Sequence, residues 1–318
     1  INEDPAQQPA ALLSSGNSPT LPTAHTQDSF TELSPSITET STPNLNPADS
    51  QELTKDPVIG SSFTRPSDNM IMMFIPAGEF TMGSLVDDAD AFTHEKPQHD
   101  VYLDAFWMDA YEVSNGMFKK FINETGYVTL AEKQGYSYGY DDNWKWVPFP
   151  GYTWRNPMGP DTVAEETLPV LHVSFYDADA YCRWAGGKLP TEAEWEKAAR
   201  GDDKRLYPWG NDFNPNYLRF NSSQGPASVY AFPDNVSPYG IFNLAGNASE
   251  WTQDWYHHES YYLSTRDNPQ GVSSGEFRVI RGGSWNNSQS RVRVTHRDVS
   301  KPDYMNHLLG FRCVMDEE

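Results

Sequence analysis

Three stretches of this chain place apolar residues at helical spacing, each behind a residue suited to cap a helix. Phe118 recurs with Phe121 and Ile122 behind Ser114, which predicts a helix from about Asn115 to Asn123. Ala178, Tyr181, Cys182 and Ala185 share a face behind Ser174, and Gly186-Gly187 stops that run. Thr191-Glu192-Ala193-Glu194 reads as a capping box opening a third helix through Trp195 to Arg200, which Gly201 ends. The uninterrupted apolar run from Met70 to Ile75 is about a third of what spans a bilayer, so it predicts a buried strand and no transmembrane segment. Elsewhere the pattern gives short strands and long loops, including Asp141 to Val163, with no fixed-period repeat.

Composition divides the chain. Residues 1–66 have no Lys or Arg before Lys55 and are crowded with Ser, Thr, Pro, Asn and Gln. Such a segment buries too little apolar surface to offset its ordering entropy, which predicts an extended acidic arm or linker, or a segment that orders on a neighbouring chain. Residues 67–318 carry the Trp, Tyr, Gly and apolar content of one globular domain. A formal charge of -21 argues against a nucleic-acid partner, since a phosphate backbone needs clustered Lys and Arg. Residue 1 is Ile, which fits a removed leader and equally an expression boundary.

A series of motifs then falls in one order. Phe74-Ile75-Pro76-Ala77-Gly78-Glu79-Phe80 is followed by Asp109-Ala110-Tyr111-Glu112-Val113-Ser114 and by Pro169-Val170-Leu171-His172-Val173-Ser174. Lys188-Leu189-Pro190-Thr191-Glu192-Ala193-Glu194-Trp195, Pro208-Trp209-Gly210 and Gly246-Asn247-Ala248-Ser249-Glu250-Trp251 come next, before Arg281-Gly282-Gly283-Ser284-Trp285 and Gly310-Phe311-Arg312. Together they resemble the formylglycine-generating enzyme, or sulfatase-modifying factor, family. The resemblance implies an α+β fold of the C-type lectin-like superfold, poor in regular secondary structure. It also implies an oxidase that turns a sulfatase cysteine into formylglycine with copper(I) held by two cysteines. Those cysteines belong between the Arg-Gly-Gly-Ser motif and Gly-Phe-Arg, where this chain has no thiol. Copper(I) selects thiolate, and amide, hydroxyl or guanidinium groups do not replace it, so copper is not expected here. Ser249, where enzyme members commonly carry Trp, and Leu308, where they commonly carry Asn, depart from the pattern as well.

The resemblance implies further sites. Cys182 and Cys313 match a family disulfide; two free thiols are the alternative, and a disulfide would place the chain in an oxidising compartment. Asn243, Gly246, Ala248 and Glu250 match a calcium loop whose donors are all hard oxygens, against a plain Asx-rich turn. Ser284, Trp285, Asn286, Asn287, Arg293 and Arg297 form a candidate ligand groove, an aromatic platform with adaptable polar groups. For Arg281, Arg293, Arg297 and Arg312, internal salt bridges compete with anion binding. His94, His99, His257 and His258 show no closed zinc spacing. The expectation is an exported, non-catalytic binding or assembly module outside the cell, at its surface or in a periplasm. Its partners would be a protein, a glycan, or other copies through the arm. The alternatives are an enzyme of the superfamily with non-cysteine chemistry, and a diversified C-type-lectin-like display protein.

Overall fold

The computed structural model describes residues 56–140 and 145–317. Residues 1–55, most of the expected arm, lie outside the described residues.

The apolar run becomes β2 (Ile71–Ile75), the second strand of a four-stranded sheet with β1 (Ser62–Thr64), β5 (Phe106–Asp109) and β12 (Val314–Asp316), in the order β1-β2-β5-β12. All its pairings are antiparallel, and Met108 lies opposite both Met73 and Val314. All four residues of β5 are buried, so it is an interior strand. A second sheet has the order β10-β9-β8-β11, from β8 (Ser249–Trp255), β9 (Arg278–Arg281), β10 (Asp298–Ser300) and β11 (Leu309–Gly310). Two hairpins complete the strands, β3 (Gly78–Met82) with β4 (His99–Leu103) and β6 (Tyr136–Tyr140) with β7 (Trp146–Pro150).

The three expected helices form where the caps place them. Ser114 accepts from the N–H of Met117 to start α1 (Asn115–Thr125), and Gly126 ends it at φ 67°. Ser174 and Asp177 make a capping box on α3 (Phe175–Trp184), as do Thr191 and Glu194 on α4 (Glu192–Arg200). Every residue of α4 is buried, charged ones included, so this helix runs through the interior. Two short helices also form, α2 (Leu130–Gln134) and α5 (Ser260–Leu263). The loop expected over Asp141 to Val163 is corrected in part: Trp146–Pro150 pairs with Tyr136–Tyr140 as β7. Pro148 and Pro150 cannot donate to a ladder, and that masks the strand in the sequence.

Apolar packing gathers in two main clusters. Trp107, Phe118, Tyr181, Trp251 and Phe311 centre the first, and Phe106, Met108, Trp195, Ile241 and Val314 the second. Cys182 on α3 and Cys313 beside β12 are joined by a disulfide within the first, with an S–S distance of 2.04 Å. It ties a helix to the edge strand of the first sheet.

Candidate functional site

The loop before β8 turns on three left-handed residues, Asn243 at φ 58°, Gly246 at 78° and Asn247 at 63°. Gly246 is required twice over. Its φ disfavours a side chain, and a Cβ would lie 2.4 Å from the carbonyl oxygen of Arg219. The loop wraps around Glu112, a buried carboxylate that accepts from Asn243 Nδ2 at 3.0 Å, Asn247 Nδ2 at 3.0 Å and the Ala248 N–H at 3.1 Å. Asn243 Nδ2 also donates to the Val229 carbonyl at 2.7 Å. Both amide hydrogens are therefore used, and the amide orientation is fixed. That leaves the buried Asn243 Oδ1 with no hydrogen-bond partner. Glu250 accepts from Arg312 Nε and Nη2, both at 2.7 Å, and from Trp195 Nε1 at 2.8 Å. Two buried carboxylates thus face one guanidinium. Burial first, and the charge of Glu250 second, push the Glu112 carboxyl up to about 8.

The structure places Asn243, Gly246 and Ala248 in one buried loop, Glu250 at the start of the β8 strand that follows, and adds Glu112, which the sequence reading missed. Only its place in the Tyr111-Glu112-Val113 motif marked it; its contact spans 131 residues to Asn243. As a donor set this loop fits a hard cation. It offers an unpartnered buried amide oxygen together with the Glu250 carboxylate, whose charge Arg312 balances.

The groove set is divided. Ser284 is buried, with its N–H and hydroxyl both donating to Asn287 Oδ1, at 2.7 and 2.8 Å. Trp285 is only 9% exposed, and its Nε1 donates to the His307 carbonyl at 3.0 Å. Arg293 and Arg297, expected to line the groove, instead point into the interior. Arg293 holds Glu95 at 3.0 Å and Asp88 at 3.1 Å, while Arg297 holds Glu192 at 2.5 Å. Arg281 completes the cluster with Glu196 at 2.5 Å and Glu192 at 3.1 Å. For Arg281 and Arg297 the cause is α4, whose Glu192 and Glu196 stand one turn apart on the same face and receive them, while Arg293 is drawn in by the buried Glu95. Only Asn286 and Asn287 of the set keep partly exposed side chains.

His94 Nδ1 and His99 Nε2 are buried without a hydrogen-bond partner, whereas both ring nitrogens of His172 are satisfied. His172, at φ 60°, is satisfied by Ser137 Oγ at 2.8 Å and the Pro157 carbonyl at 2.9 Å, and burial drives its ring down to about 3. Among the described residues, no group of three or more His, Cys, Asp or Glu is placed to hold a metal ion, and no helix is long and apolar enough to cross a membrane.

Two small sheets, a buried charged helix and long ordered loops define an α+β domain of the C-type lectin-like superfold. Solved structures with this fold include PvdO from Pseudomonas aeruginosa, with a TM-score of 0.69 at 22% identity over 82% of this chain and 100% of that one. Treponema denticola variable protein 1 gives 0.60 at 22% identity, over 81% and 99%. Residues 59–317 match the model of the sulfatase-modifying factor enzyme 1-like domain, and the chain belongs to that family. The formylglycine-generating enzyme of Bos taurus is 42% identical over 79% of this chain and 76% of its own length. The inactive C-alpha-formylglycine-generating enzyme 2 of Mus musculus is 38% identical over 76% and 84%.

Proposed function

We propose that this chain is a non-catalytic member of the family, exported and used as a binding or assembly module. One observation carries this: the thiols the oxidase reaction needs are missing from the stretch between Arg281 and Gly310, and both cysteines of the chain are joined in the Cys182–Cys313 disulfide. That donor set does not fit copper(I). Three of the stretch's arginines, Arg281, Arg293 and Arg297, are committed to Glu95, Glu192 and Glu196, which supports a structural role for it. A relative named as inactive, at 38% identity, supports the same reading, and the disulfide supports an oxidising compartment outside the cytosol. Incubated with copper, oxygen and a Cys-x-Pro-x-Arg peptide, the protein should leave the peptide's mass unchanged. Aldehyde formation would overturn the proposal and favour an enzyme with other chemistry.

We further propose that the loop from Asn243 to Glu250 holds calcium. Asn243 Oδ1, the Gly246 and Ala248 carbonyls and Glu250 would be the ligands, and Glu112 would fix the amide of Asn243. Calcium at a hundred times its dissociation constant should stabilise the fold by about 2.7 kcal/mol. Each kcal/mol corresponds to roughly 2–4 °C in a domain of this size. Scanning calorimetry with calcium and with a chelator checks this, and identical melting temperatures would exclude the site. The partner is a protein or glycan meeting Asn286 and Asn287, or another copy reached through residues 1–66. Sedimentation of the full chain beside residues 56–318, which keep β1 and the buried Arg65, tests the last: equal masses at all concentrations would remove it.

A further inference from the structure

Residues Ser84 to Glu95 leave β3 and return towards β4 as a closed strap. Its ends meet where the Ser84 N–H donates to the Glu95 carbonyl at 2.8 Å, just after Gly83 at φ 95°. A Cβ on Gly83 would stand 2.9 Å from that same carbonyl, so the narrow base needs glycine. Compact surface loops with joined ends are often functional units.

The strap is not held down by apolar burial. Leu85 is 45% exposed, Val86 83% and Phe92 42%. Polar contacts hold it instead, from Arg293 and Lys96 along its length and from Arg297 to the His94 carbonyl at its end. Arg293 Nη1 donates to Asp88 Oδ2 at 3.1 Å and Nη2 to the Asp90 carbonyl at 2.7 Å. Within the strap's own flank, Lys96 Nζ donates to the Val86 carbonyl at 2.9 Å and the Asp88 carbonyl at 3.3 Å. Arg293 is anchored below by Glu95, at 3.0 and 3.1 Å, and by the Ser290 carbonyl at 3.0 Å. Under the strap lies His296, with its ring 5.6 Å from that of Phe92 and its buried Nε2 without a partner.

A loop with exposed apolar side chains and few, polar tethers sits at the low-stability end of a fold, while the sheets beneath it sit at the high end. We propose that residues 85–92, between the joined and buried ends Ser84 and Glu95, are a latched strap that opens as a unit, with the Arg293–Asp88 pair as its latch, and uncovers Arg293 and His296. Opening gives access to an interior stretch that the closed form seals. The device does not depend on calcium or on the absence of catalysis.

Hydrogen exchange on the full chain tests it, with Asp88→Asn as the main variant. The amide that replaces the carboxylate keeps an Oδ1 able to accept from the Asp90 N–H, as Asp88 does at 2.9 Å, and loses both the charge and the acceptor facing Arg293. Losing one partly exposed ion pair should speed exchange across residues 85–92 by about fivefold to tenfold, with β2 and α4 unchanged. Lys96→Met should act in the same direction. Labelling of His296 by diethyl pyrocarbonate, referenced to the exposed His258, should rise in both variants. Unchanged exchange at 85–92, equal acceleration over the whole domain, or unchanged labelling of His296 would each overturn the latch.

Discussion

Glu95 and Asp254 are both buried carboxylates, and their surroundings drive them in opposite directions. At Asp254, burial first and the charge of Glu192 second push the carboxyl up to about 7. Between its ordinary value and 7 the folded chain holds a proton that the unfolded chain has released, so stability falls as pH rises across that window. At Glu95 burial works against ionisation, but bonds from His296 and Arg293 outweigh it and bring the carboxyl down to about 2. Here stability is lost as pH drops from the ordinary carboxylate range towards 2. Taken together, these two slopes cancel at about pH 4, so their joint contribution to the melting temperature should peak there and fall on either side. Asp254→Asn, whose amide oxygen can still accept from the Glu192 N–H, should flatten the fall between about pH 5 and 7. An unchanged profile would show that Asp254 does not titrate there. Neither environment was legible in the sequence, because both are made by residues distant along the chain.

At the scale of elements, α4 is the most informative. Its capping box was plain in the sequence, since Thr191 and Glu194 lie three residues apart and need nothing else to act. Its burial was not, because Glu192, Glu196 and Arg200 look like a solvated face. They are interior only because Arg281 and Arg297 arrive from β9 and the stretch after it. Arg281→Met should therefore destabilise the domain by about 1.5–3 kcal/mol, read from urea unfolding, since it removes the charge-assisted bonds to Glu196 Oε2 and Glu192 while Arg200 still pairs with Glu196. A loss below about 1 kcal/mol would mean the pair is solvated, as surface pairs are. The hairpin of β6 and β7 and the five-residue α2 escaped the sequence reading for a simpler reason. Neither is long enough, or free enough of proline, to show its period.

Over the whole molecule, the disulfide between Cys182 and Cys313 spans 131 residues and fastens α3 to the strand that closes the first sheet. Cross-linking a loop of that length stabilises by about 4–5 kcal/mol in the chain-entropy model. The double variant Cys182→Ala, Cys313→Ala should lose most of that in denaturant unfolding, and a loss under about 1 kcal/mol would count against the entropic account. The linear order of residues settles the three long helices, the buried strand at Met70 to Ile75, the family, and the lack of thiols in the stretch before Gly310. Each of these is local, written in spacing, caps or residue identity. Packing alone settles that Arg293 and Arg297 turn inward, that Trp285 is covered, that Glu112 joins the Asn243 loop, and that a strap closes over His296. A charged side chain's role depends on which partner shares its burial, and that partner is set by the folding of the whole chain.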